Sequence, residues 1–124
     1  MPETTKKDFE IFKKECQLWI RKLGLSDWEV IFCFEALVGN DAQCNWNVDS
    51  RTAVIYLNVE LDICTQSYVK ILARHEIFEL LLADISSFSR RRYNVNEIDI
   101  ERAGHIIISR LENMLNKTNE ILKE

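Results

Sequence analysis

The sequence predicts an α+β fold: an N-terminal helix, a small three-stranded antiparallel sheet, and two long helices packed on that sheet. Apolar residues recur at helical spacing towards both ends of the chain, whereas residues 28–57 are rich in β-branched and aromatic residues interrupted by turn formers. Strands segregated from helices in this way favour helices on one face of a sheet over an alternating parallel architecture. With 124 residues, 47% of them hydrophobic, and only 3 glycines and 1 proline, the composition predicts a single packed domain over 1–124 and excludes a disordered or collagen-like chain.

The first helix is read from Thr5 to Leu23, where Phe9, Phe12, Cys16, Trp19 or Ile20, and Leu23 fall at three- and four-residue intervals. Gly24 follows, where a left-handed cap would end the helix. Trp28 to Leu37 reads WEVIFCFEAL, a strand, with Gly39-Asn40-Asp41 as the turn after it. Ala42 to Val48 and Thr52 to Leu57, parted by Asp49-Ser50-Arg51, complete an expected antiparallel meander. Alternation puts Asn45 and Asn47 on one face and Cys44, Trp46 and Val48 on the other. A second helix, capped by Thr65 or Ser67, is expected to run to about Ile85 and to end in Ser86, Ser87 and Ser89. The last helix, capped by Asn94 or Asn96, is expected to reach about Leu122.

Twenty acidic side chains against 16 basic ones leave a net charge of −4, and the only basic run is Arg90-Arg91-Arg92. Without clustered Lys and Arg to displace counterions from phosphates, no nucleic-acid partner is expected. Cys16, Cys33, Cys44 and Cys64 are 17, 11 and 20 residues apart, so no CxxC pair exists for a zinc finger or for disulfide exchange. Cys33, in VIFCF, is read as a small core hydrophobe. MPETTKKDFE lacks the apolar core of a secretory leader, and no stretch approaches the ~20 apolar residues of a membrane helix. A cytoplasmic location with reduced thiols, and no membrane partner, is the expectation.

The chemistry sits in ARHEIFELLLA. On a helix, His75 and Glu79 lie at i and i+4 on one side, with Glu76 on their flank. Glu79 stands among Ile77, Phe78, Leu80, Leu81, Leu82 and Ala83 and is expected to be the buried carboxylate, costly unless paired or bound to metal. His-Glu-x-x-Glu differs by one residue from the HExxH helix of metalloproteases, whose i, i+4 pair binds zinc and whose intervening Glu serves as general base. A third ligand is still required, and the only other histidine is His105, at the border of the apolar stripe Ile100, Ala103, Ile107, Leu111 and Leu115. If the two helices pack side by side, His75, Glu79 and His105 form a two-imidazole, one-carboxylate set suited to zinc or another divalent transition metal. Glu101, one turn before His105, is either a partner that orients the imidazole or an alternative ligand. The same residues also read as a structural histidine and a glutamate paired with Arg74, Arg102 or Arg110.

At HEIFELLL, followed by GHIIISRLENML, the chain resembles a group of small phage- and prophage-encoded proteins described as zincin-like metallopeptidases. In that group a helix reading HE-x-x-H or HE-x-x-E is succeeded by a helix with a His and an RLEN-like ending. The likeness takes in DWEV and CNWNVDSRTAVIYLN and so covers most of residues 27–115. It implies a minimal zincin-like fold, with His75, Glu79 and His105 as zinc ligands and Glu76 as the catalytic base. The expected function is that of a zinc-dependent hydrolase, a metallopeptidase acting on a peptide or protein held in extended form against a sheet edge, for which Thr52 to Leu57 is the expected strand. The alternative is a non-catalytic phage interaction protein on the same scaffold, with a structural or empty metal site.

Overall fold

The structure, a computed structural model, describes residues 4–90 and 96–123. Helix α1 spans Lys6–Lys22, strands β1, β2 and β3 span Glu29–Glu35, Ala42–Asn47 and Thr52–Asn58, and helix α2 spans Gln66–Leu81. A short helix α3, Ala83–Ser86, and a 3₁₀ turn, Ser87–Arg90, precede the long helix α4, Glu97–Lys123. Arg91 and Arg92 of the basic run, and Asn94, lie outside the described residues.

Local chemistry explains where the helices begin. Thr5 and Asp8 form a reciprocal capping box, with Thr5 N donating to Asp8 Oδ2 at 2.8 Å and Asp8 N to Thr5 Oγ1 at 3.2 Å. Gly24 takes φ +66° just beyond the end of α1, as its placement in the sequence predicts. Thr65, rather than Ser67, caps α2 by accepting from Tyr68 N. Asn96 caps α4, with Asp99 N donating to Asn96 Oδ1 at 3.0 Å and Asn96 N returning a bond to Asp99.

The sheet is mixed, not an antiparallel meander: its order is β1-β3-β2, with β1 parallel and β2 antiparallel to β3. β3 takes the centre because Ala53, Ile55 and Leu57 are its buried face, and a strand so buried needs ladder partners on both edges. The expected docking edge, Thr52 to Leu57, is therefore the interior strand, and β2 is an edge strand packed beside α2. Glu35 and Ala42 both lie at the C-terminal end of β3, opposite Asn58 and Leu57, so segment 36–41 arches over that end. Asn58 holds the arch: Oδ1 accepts from Leu37 N at 3.3 Å and from Glu60 N at 3.0 Å, while Nδ2 donates to Leu37 O at 3.2 Å and to Asn40 O at 2.9 Å.

One core cluster joins the inner face of the sheet to α1 and α2, with Phe12, Cys16, Ile55, Leu57, Val69, Ala73 and Ile77 fully buried. Cys16 Sγ lies 3.8 Å from Ala73 O, where the two helices meet. Cys33 is not a core residue; it pairs with Tyr56 on the outer face of the sheet and is only partly buried. α4 rests mainly on α3, burying Ala103 and Ile107, with Arg110 bonded to Asp27 at 3.2 Å. Ile100, Leu111 and Leu115 of its expected buried stripe are exposed, because the contact follows Ala103, Ile107 and Met114 instead. Among the described residues no helix is long and apolar enough to cross a membrane.

Candidate metal centre

The buried stripe of α2 runs Val69, Ala73, Glu76, Ile77 and Leu80, so one carboxylate is carried inward with the apolar residues. That carboxylate is Glu76, 4% exposed, and not Glu79, whose side chain is 48% exposed. The expectation that Glu79 is buried assumes apolar neighbours all round the helix. Ile71, Phe78 and Leu82 are in fact exposed, so the helix has a wet side, and Glu79 looks out at its margin with His75, 66% exposed.

His75 Nε2 lies 3.2 Å from Glu79 Oε1, across one helical turn. One ligand atom each from His75, Glu76 and Glu79 falls within 4.8 Å of the others, the only such group of three among the described residues. Burial first, and then the adjacent Glu79 charge, pushes the Glu76 carboxyl up to about 7, against the opposing pull of His75; a hydrogen bond to Glu79 adds to the rise. Two carboxylates that share a hydrogen bond beside an imidazole invite a proton or a cation between them. The donor set, one nitrogen and two carboxylates, suits zinc and its neighbours among the divalent transition metals.

The group opens on a cleft of about 480 Å³, walled by residues 39–44 on one side and by Leu72, His75, Glu76 and Glu79 on the other. Asp41 and Cys44 line this cleft and carry no chemical role in the sequence reading. The Tyr68 hydroxyl donates to Asp41 Oδ2, tying the first turn of α2 to the arch, and this bond pushes the Tyr68 pKa upward and keeps the hydroxyl protonated. Cys44 faces the cleft from β2, its thiol pushed up to about 12 by burial and then by the charges of Glu76 and Glu79.

His105 does not join the group: it lies exposed on α4, on the turn between Ala103 and Ile107. Glu101 is likewise exposed on α4. The expected arginine partners of Glu79 are not found among the described ion pairs, where Arg110 instead joins Arg51 at Asp27. Comparison with family models, with curated proteins and with solved structures yields no match to this chain.

Proposed function

We propose that the chain is a small zinc-dependent hydrolase, a metallopeptidase with the zincin-like, phage-type character of the motif resemblance. One observation supports this above all: His75, Glu76 and Glu79 bring their ligand atoms within 4.8 Å of one another on one wall of a cleft beside the edge strand β2. His75 and Glu79 are the metal-holding pair. Zinc, when bound, would polarise a substrate carbonyl and lower the pKa of water. Glu76 takes a proton from the attacking water and hands it to the leaving amine, the general-base role that its place beside the metal-holding pair allows. An extended peptide would pair with β2, an edge strand beside the cleft, and not with the interior strand β3. Four free cysteines suit a reducing, cytoplasmic setting.

Glu76→Gln is expected to keep the metal and lose turnover of a peptide library by at least about a hundredfold, whereas His75→Ala loses both. Equal loss of metal in the two variants, or unchanged turnover in Glu76→Gln, overturns the division of roles. Metal content of His105→Ala is the further control: loss there restores the His75, Glu79 and His105 set read from the sequence. A second reading, a non-catalytic interaction protein on this scaffold, draws support from the exposed Ile100, Ile108, Leu111 and Leu115, which helical spacing sets on one side of α4 as an apolar surface suited to a partner. Metal-free protein that stays folded and refuses zinc favours it.

A further inference from the structure

His75 and Glu79 leave a catalytic metal one protein ligand short, and His105 stands outside their group. The identity of the missing ligand rests on the proposed metal site of His75 and Glu79, and the strand side of the cleft supplies a candidate. Cys44 pairs with Ile55 across the β2–β3 ladder, and paired residues project to the same face. Ile55 is fully buried on the face that meets the helices, so the Cys44 side chain is directed towards α2, into the cleft that His75, Glu76 and Glu79 line. Glu76, 4% exposed, lines the same cleft, and among the described ion pairs no lysine or arginine reaches it. We propose that Cys44 is the third protein ligand of a metal held by His75 and Glu79, reaching it from the strand side of the cleft.

Cys44 Sγ is not among the three atoms that already lie within 4.8 Å of one another, so ligation requires rotation of its side chain towards them. When the sulfur–metal bond forms, the S–H bond breaks and its proton leaves to solvent, with no change of oxidation state. Thiolate and Glu79 carboxylate then balance the charge of a divalent ion, with neutral His75 as the third donor and Glu76 left free to act as base. The soft sulfur selects zinc or cobalt over magnesium, calcium or manganese. It also makes the ion less electrophilic than a two-imidazole, one-carboxylate set would.

Cobalt(II) added to the chelator-stripped chain provides the test, because thiolate ligation gives a near-ultraviolet charge-transfer band that nitrogen and oxygen ligands do not. The wild type is expected to show the band at one cobalt per chain. Cys44→Ser should lose it and bind zinc about tenfold or more weakly in competition with a chromophoric chelator. Cys33→Ser should keep the band, and His75→Ala should lose it, placing both ligands on one ion. Cys44→Ala, checked for folding by circular dichroism alongside Cys44→Ser, should repeat the loss of the band. Cobalt bound without the band, or a band that survives in Cys44→Ser, overturns the Cys44 assignment while leaving the site of His75 and Glu79 standing. Failure of the wild type to take up cobalt or zinc overturns both.

Discussion

Glu76 ties the chemistry of the site to the stability of the metal-free chain. An unfolded glutamate titrates near the ordinary carboxylate value, but in the fold burial and the Glu79 charge carry Glu76 up to about 7. Between the two values the folded state holds a proton that the unfolded state has released, so stability falls as pH rises through that window and stays lowered above it. The penalty is on the order of 3 kcal/mol. Urea melts of metal-free protein at pH 5 and pH 8 are expected to show this drop, and Glu76→Gln, which has no charge to bury, should flatten it; the same slope in the variant sinks the assignment. At this scale His75, Glu76 and Glu79 were legible because helical spacing alone sets them on neighbouring positions. Which carboxylate turns inward was not, because that depends on where α1 and β2 sit against α2, and hydrophobic neighbours in sequence do not report it.

At the scale of elements, the mixed sheet hinges on Asn58. A connection as short as 36–41 reads naturally as a hairpin turn, and nothing in WEVIFCFEAL distinguishes a strand beside β2 from one separated from it by β3. What decides is that β3 buries alternate residues and is paired on both edges, while three hydrogen bonds made by one amide side chain hold the arch over its end. That arch is also the wall of the cleft that carries Asp41, so the residue that sets strand order shapes the site. Asn58→Ala strands several partly buried backbone groups and is expected to cost about 2–3 kcal/mol. Because loosening the arch also frees Asp41 from Tyr68, zinc affinity should fall with stability, as paired denaturation and metal titrations would detect. Stability unchanged within about 0.5 kcal/mol contradicts the role given to Asn58. The alternation of Cys44 and Trp46 was legible too, but which face α2 would cover was a property of the topology and so stayed hidden.

On the scale of the whole molecule, the core and α4 are bound together unequally. α1, α2 and the sheet share one cluster of buried residues, to which α4 adds, among the described residues, only Ile107, with Met114 packed against its edge. Outside that seam α4 presents Ile98, Ile100, Ile106, Ile108, Leu111 and Leu115 to solvent, and the bond from Arg110 to Asp27 ties it to the front of the fold. Burial, not helix propensity, supplies most of a helix's stability in a protein, so opening of α4 costs less than opening of α2. Hydrogen exchange should therefore find amides of 97–115 exchanging at least about tenfold faster than those of 66–81, by a local opening that leaves the rest folded. Arg110→Ala should speed the first set and leave the second unchanged. Equal protection in the two helices at every protein concentration refutes this division. Protection of α4 that rises with concentration means instead that its apolar row is covered by a second copy, and the same row would then be unavailable to any other partner.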